Sequence, residues 1–486
     1  EQVEADQWRL LSEPPQSNWL LPLTFAEGSH EVMVGEERLA LESQGSPEES
    51  GEETEESKGE GVEPENEEQK GKNAHQTEPG GAFPYDADDP GNLYLLEVTE
   101  ESSREVTNWQ ELLLAIQTRT VNYIALTESF DSPDRPAEGL SNVEMIDWIG
   151  DQNPNGEASY LYLNSAEISR PLIIDGRGHT IDFRSVSVGF NDMTVNPDTP
   201  WDITLQNIEL YSGNDFGPIQ YNDLETDNQA AATIRYHNVN HVGNQLFHGF
   251  QSTAILSGSV SSIQKDSYDA ALGRGEWRIN ATDQANFEVG YLDVLDGAKV
   301  HLSTIDSGNI WFPHSSNPTF TIGDDAEVTI IANGTGQGEA WGANIFFRYS
   351  PILTVGNGAT LDLAPKRNSP AISTSGLLPA QTTQINLLEE STLKIFNSGR
   401  TSNSNNDWTN IISMPPGPDS SIHLRKGSTL AIEAVNQLRS DSYIIYFPVS
   451  GHITIDEDAT FDIRSDSRTL AHSLISFGRF NSTITI

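Results

Sequence analysis

Leu353-Thr354-Val355-Gly356-Asn357-Gly358-Ala359-Thr360-Leu361-Asp362-Leu363 spells a strand, a glycine turn and a second strand. Apolar side chains alternate on both sides of the turn, Leu353 and Val355 in one arm and Leu361 and Leu363 in the other, and Val and Thr suit a half-buried pleat. The central glycines supply positive-φ positions. The unit recurs from Phe320 to Ile330, Ile385 to Ile395, Ile422 to Ile432 and Ile453 to Ile463, with an earlier copy around Val294 to Leu302. Its small central residues, Ala298, Ala326, Ala359, Ser391, Ser428 and Ala459, are separated by steps of 28, 33, 32, 37 and 31 residues. A period of roughly 20 to 50 residues marks a solenoid, a propeller or an array.

A further strand signal falls once per period: Ile310-Trp311-Phe312, Ile345-Phe346-Phe347, Ile411-Ile412-Ser413 and Ile444-Ile445-Tyr446. Each period therefore holds three short strands. A propeller blade needs four strands in roughly 40 to 50 residues, and a leucine-rich repeat needs its Leu/Asn consensus. The pattern predicts an all-β chain folded as a right-handed parallel β-helix of three-strand coils. Roughly ten to twelve coils at the ~4.8 Å strand spacing make a rod of ~50 Å. Upstream, Leu172 to Phe183 carries the Asp175-Gly176-Arg177-Gly178 turn, and Ile203 to Leu210 and Thr233 to Tyr236 are further strands. A helix is predicted from Trp109 to about Gln117, opened by Thr107 with Gln110 three residues on as a capping box. Trp109, Leu112, Leu113 and Ile116 share one face, so the helix can cover the exposed first coil of the solenoid.

The chain has 486 residues, no cysteine and a formal net charge of -45. That length allows about three domains of ~150 residues, although β architectures run longer as single units. The absence of cysteine excludes a disulfide framework, a thiol nucleophile and any Cys-ligated metal site. The charge repels nucleic acid phosphates and anionic lipid headgroups, and no stretch reaches the ~18 apolar residues of a bilayer-spanning helix. Residues 1–90 carry a net charge of -19 and residues 91–486 the remaining -26. Pro47 to Lys72, rich in Glu and poor in apolar residues, is expected to be disordered, which makes 1–90 an acidic, largely disordered N-terminal region and 91–486 the β-helix domain. Two apolar clusters around Trp8 and Trp19 either dock on a partner or on the main domain, or form an unstructured leader. Leu474-Ile475-Ser476-Phe477 and Ser482 to Ile486 repeat the pattern of Ile444 to Ile455, so the last coil is expected to be cut short by the end of the sequence.

The helix Trp109-Gln110-Glu111-Leu112 to Ile116 followed by Ile124-Ala125-Leu126, the turn Ile174 to Ile181, and the units Asp296-Gly297-Ala298 and Gly358-Ala359-Thr360-Leu361 together resemble the pectate-lyase-like adhesive domains of Gram-positive cell-surface proteins. The resemblance covers roughly 107–486. It implies a secreted adhesin attached to the cell wall, a family often carrying a Trp-x-Leu wall-binding domain or a sortase signal downstream. Trp8-Arg9-Leu10 and Trp19-Leu20-Leu21 have the Trp-x-Leu spelling at the opposite end and are not read as that wall domain.

Polysaccharide lyase or glycoside hydrolase activity is the catalytic alternative. β-Elimination needs carboxylates holding Ca²⁺ and a basic side chain nearby, for which Asp175, Asp182 and Arg177 are the nominees. Against this, Asp175 opens a glycine turn, Asp182 alternates outward between Ile181 and Phe183, and Gly178-His179 lacks the paired aspartates of β-helical hydrolases. No catalytic residue is assigned. His237 and His241 fall on a strand rather than one helix face, which argues against zinc. Turn acids Asp324-Asp325, Glu389-Glu390 and Asp456 to Asp458 could stack as a calcium site, but Lys426 interrupts them, so neither metal nor cofactor is expected. Asn309, Asn344 and Asn410, each preceding an Ile, predict a ladder of stacked amides.

Function is left to the surface. The connections Ile331 to Ala343, Ala364 to Pro370, Phe396 to Thr409 and Glu433 to Tyr443 vary while the strands keep their pattern, and such insertions often form a solenoid's binding face. Trp341 and Trp408 are the predicted ligand anchors there, Trp311 is assigned to core packing, and a flat face with Thr354, Thr360, His423 and Thr429 is the second choice. The sequence therefore predicts a monomeric, non-catalytic adhesin that binds a glycan or an extracellular host or wall protein. A passive cell-wall spacer is the third reading.

Overall fold

The computed structural model describes residues 8–10, 29–34, 37–43, 101–141, 143–148, 158–163, 168–190, 200–221, 232–269, 276–278, 284–305, 307–313, 317–332, 342–365, 369–375, 381–397, 410–435, 443–465, 474–478 and 481–486. The chain divides into two compact units, Glu1–Thr99 and Glu100–Ile486. In the first, Trp8–Leu10, Ser29–Val34 and Glu37–Ser43 form an antiparallel sheet with Glu37–Ser43 in the middle. The acidic stretch Pro47 to Lys72 and the Trp19 cluster lie outside the described residues.

The second unit is the parallel β-helix read from the repeat. From Phe287 onward each coil supplies three strands, and each strand pairs in parallel with its equivalent one coil on. Thr319–Ile322 lies between Phe287–Val294 and Ile352–Val355, Glu327–Ala332 between Lys299–Thr304 and Thr360–Pro365, and Ile345–Phe347 between Ile310–Phe312 and Ile372–Thr374. Leu292, Phe320, Leu353, Ile385, Ile422 and Ile453 face one another down the first column, and Val328, Leu361, Leu393 and Leu430 down the second, all buried. Burying each such side chain contributes about 1.5 to 3 kcal/mol. A slip by one residue would turn the whole row outward, so the apolar alternation fixes the register.

One residue with φ between 56° and 68° recurs at each corner between the first and second strands: Gly297, Asp325, Gly358, Glu390, Gly427 and Asp458. Glycine takes this conformation without steric cost, and the acids hold it within a stacked corner. Asp324 N donates to Asp296 Oδ1 (2.8 Å), Asn357 N to Asp324 Oδ1 (2.7 Å) and Glu389 N to Asn357 Oδ1 (3.1 Å). The turn side chains thus join coil to coil.

The helix spans Trp109–Gln117, with Trp109, Leu112, Leu113, Ala115 and Ile116 buried against the core. Its N-cap is Asn108 rather than Thr107: Asn108 Oδ1 accepts from Glu111 N at 3.0 Å, and Glu111 Oε2 reaches back to Thr107 N at 2.8 Å. Glu111 therefore takes the capping-box part expected of Gln110, which bonds Glu138 O instead. At the other end the buried Arg170 guanidinium donates to Ile116 O (2.9 Å), Thr118 O (3.1 Å), Val121 O (2.6 Å) and Ile168 O (2.7 Å). It occupies the negative end of the helix dipole, and burial pulls its pKa down to about 10.

A polar row threads the apolar interior. His241 Nδ1 meets Ser262 Oγ (2.9 Å), which accepts from Asn286 Nδ2 (2.9 Å). Asn309 Nδ2 donates to Asn286 Oδ1 (3.1 Å), and Asn344 Nδ2 to Asn309 Oδ1 (3.0 Å). The ladder is thus real for Asn309 and Asn344, extends upstream to Asn286, and excludes Asn410. Strand pairing aligns Ile345 with Ile372 and Ile372 with Ile412, which places Ala371 and Ile411 after Asn344 and leaves Asn410 one residue out of register. Asn410 Oδ1 instead accepts from Tyr443 N at 3.0 Å. Among the described residues no helix is long and apolar enough to cross a membrane.

Candidate functional site

The third strand of each coil is three or so residues long, with its first and last side chains inside and its middle one outside. Ile310 and Phe312 are buried and Trp311 is half-buried between them. Parallel pairing carries this outward position from His248 to Glu288, Trp311, Phe346, Ser373, Ser413 and Tyr446 on successive coils. Trp311 is therefore an outer-face residue and not the core residue expected from the sequence. All three residues of Ile-Trp-Phe are apolar, so composition could not tell inside from outside; the neighbouring rungs do.

Two more aromatic rings flank this row. Phe216 stacks on His248 with ring centres 4.3 Å apart, and it is set there by Asn214, whose Oδ1 accepts from Phe216 N (2.8 Å) and whose Nδ2 donates to Ser185 O (2.7 Å). Phe250 lies 4.4 Å from His248 and meets Trp311 edge to face at 5.5 Å. It follows Gly249, where pairing with the next coil shifts register and an added Cβ would fall 2.6 Å from the Phe247 ring. His248 Nδ1 and Glu288 Oε2 are 2.6 Å apart, and both side chains are more than nine-tenths buried. A pocket of about 130 Å³ opens beside them, walled by Gln284, Ala285, Glu288, Ser307, Gly308, Ile310, Trp311 and Phe346.

Trp341 and Trp408 lie outside the described residues. The second-choice face divides: Thr354 and His423 stand on the outward row of the first strands, Thr360 and Thr429 on that of the second strands. His423 Nε2 lies 3.4 Å from Asp456 Oδ1.

The lyase nominees are brought close but are spent on structure. Asp175 is buried and accepts from Tyr123 OH (2.7 Å), Arg177 N (3.0 Å) and Asn207 Nδ2 (3.4 Å). Asn207 Oδ1 in turn accepts from Asn238 Nδ2 (3.2 Å), so Asp175 starts a second corner ladder, built at the positive-φ residues Asn207 and Asn238. Burial, then the Asp175 charge, push the Tyr123 hydroxyl pKa well up. Burial acts to lower the Arg177 pKa, but its bonds to Glu105 and the Tyr123 hydroxyl and the Asp175 charge outweigh it and hold the group above its ordinary value. A proton-abstracting base needs the reverse. Asp182 alternates out of the core as expected, but neighbouring coils bury it: Asp131 and Tyr211 flank it in register, and its Oδ1 accepts from Arg184 N at 2.9 Å. His237 and His241 are buried on Thr233–Gly243 against Ser257 and Ser262, and burial pulls His241 down to about 3. Among the described residues no three His, Asp or Glu side chains are placed to hold a metal ion.

The outer face of the β-helix thus carries a row of aromatic rings beside a small pocket. Residues 103–248, from the strand before the helix through His248, match the family described as "Putative pectate lyase-like adhesive domain". The match is to an adhesive family, not a catalytic one. A solved structure titled "L. reuters 100-23 SRRP" is similar at 17% identity with a TM-score of 0.49, over 80% of this chain and 99% of that one. A second, "L. reuteri 53608 SRRP", is similar at 16% identity with a TM-score of 0.41, over 78% of this chain and 98% of that one. No curated protein matches the chain.

Proposed function

We propose that this protein is a cell-surface adhesin of a Gram-positive bacterium, secreted and held at the cell wall, which binds a glycan or an extracellular host or wall protein as a monomer and without a cofactor. The single observation that carries this reading is the match of residues 103–248 to an adhesive family. It is supported by the commitment of Asp175, Asp182 and Arg177 to corner and turn bonding, which takes these three nominees away from the role of acid and base. Adhesion in this reading is spread along the rod: the described aromatic row supplies one part, and the connections carrying Trp341 and Trp408 supply the anchors.

The test is a double variant, Trp341→Ala with Trp408→Ala, compared with the parent chain for binding to bacterial walls and to host matrix. Binding weakens by about 1 to 4 kcal/mol, the range of an anchor residue, while the melting temperature moves by only a few degrees. Unchanged binding would remove the two tryptophans from the adhesive surface, and no saturable binding by the parent chain would remove the adhesive reading itself.

A further inference from the structure

The pocket at Trp311 has a composition that selects its occupant. Its one ionisable wall residue is Glu288, and no Lys or Arg lines it among the described residues. Burying a carboxylate costs free energy unless partners offset it, and here His248 Nδ1 holds one oxygen at 2.6 Å. The rest of the wall is chiefly the Trp311 and Phe346 rings, an amide and a hydroxyl. A negative charge set in an apolar wall attracts a cation more strongly than the same charge in water, and an indole face adds a cation–π attraction. The far field has the same sign, because residues 91–486 carry a net charge of -26. A sugar ring covers a whole indole face, whereas Trp311 is half-buried with Phe250 in a T-shaped contact at 5.5 Å, and a slender methylene chain needs only part of that face.

Resting on the adhesive reading, we infer that this pocket receives a lysine side chain from a basic segment of an extracellular protein. The ammonium meets Glu288, and the methylene stem lies along Trp311 in the manner of a snorkelling lysine. The recognised partner is then a cationic protein surface rather than a neutral or acidic glycan.

The full chain labelled with 5-fluorotryptophan gives one fluorine signal for each of nine tryptophans, and Trp311→Phe identifies the one from Trp311. N-acetyl-lysine methylamide is titrated against it, beside the neutral N-acetyl-norleucine methylamide and methyl glycosides. The lysine probe shifts the Trp311 signal saturably and the neutral probes leave it in place. Glu288→Gln weakens the lysine probe roughly tenfold, while Asp362→Asn, an equal charge change on another strand row, leaves it unaltered. An absent or non-saturable shift, an equal shift by norleucine or a glycoside, or equal loss in the two variants would each overturn the inference. The norleucine comparison is made on the parent chain and survives any folding defect in a variant. Failure here leaves binding by the whole chain to walls or matrix intact, whereas failure of the adhesive reading removes that binding altogether.

Discussion

Replacing Asn309 by alanine tests the interior ladder at its middle rung. The residue is fully buried and makes three bonds: to Asn286 Oδ1 (3.1 Å), to Ile331 O (3.0 Å) and from Asn344 Nδ2 (3.0 Å). Alanine leaves the Asn286 acceptor and the Asn344 donor without their partner in an apolar interior, and each stranded group costs about 1 to 3 kcal/mol. Asn344 Nδ2 keeps only a long contact to Ile330 O at 3.4 Å. Allowing for partial relaxation, Asn309→Ala destabilises by about 3 to 5 kcal/mol. Asn410→Ala is the control, since it removes one bond, to Tyr443 N, and costs about 1 kcal/mol. Urea unfolding of the full chain gives the difference, and native-state hydrogen exchange at Ile310 and Ile345 localises it, because solenoid coils open in local units. Equal costs for the two variants would refute the register that separates Asn410 from the ladder.

Two further outcomes follow from buried charge. His241 is held neutral, with a pKa near 3 in the folded chain against an ordinary 6.5, so below about pH 6.5 the unfolded chain takes up a proton that the folded chain refuses. Its contribution is full above pH 6.5 and falls as pH drops towards 3. The loss amounts to about 2 kcal/mol between pH 7 and pH 5 and is removed in His241→Leu, as parallel urea titrations at the two pH values would record. Arg170→Met removes the bonds to Ile116 O and Thr118 O at the end of the helix and to Val121 O and Ile168 O beside it, and costs about 2 to 4 kcal/mol, and Arg170→Lys restores little because an ammonium cannot reproduce the planar fork. Limited proteolysis near Gln117 reads the loosened helix end.

The fold was legible because a solenoid writes its period into the chain. The corner residues Gly297, Gly358 and Gly427, and the apolar rows through Leu353 and Leu361, needed only counting. What could not be counted was the setting of one coil upon the next. Asn410 precedes an isoleucine just as Asn309 and Asn344 do, but two adjacent isoleucines, Ile411 and Ile412, made either register acceptable to the eye, and pairing chose Ile412. Trp311 was misplaced for the same reason, in a strand apolar throughout. Asp182 alternates out of the core as expected, yet neighbouring coils bury it, and no local pattern reports what lies ~4.8 Å above or below a strand. Arg170 left no sequence signal, because the carbonyls it caps are about fifty residues away. The same holds for the face joining Phe216, His248, Glu288 and Trp311, assembled from four segments that meet only when the coils stack.

Non-catalytic adhesion is tested most directly by placing the full chain on an array of extracellular matrix proteins and wall glycans, with and without Ca²⁺, while the same preparation is incubated with polygalacturonate and common wall polysaccharides. The expected result is saturable binding to at least one immobilised partner, independent of Ca²⁺, with no unsaturated product and no new reducing ends. Turnover that disappears in Asp175→Ala or Arg177→Ala would contradict it and make the chain an enzyme.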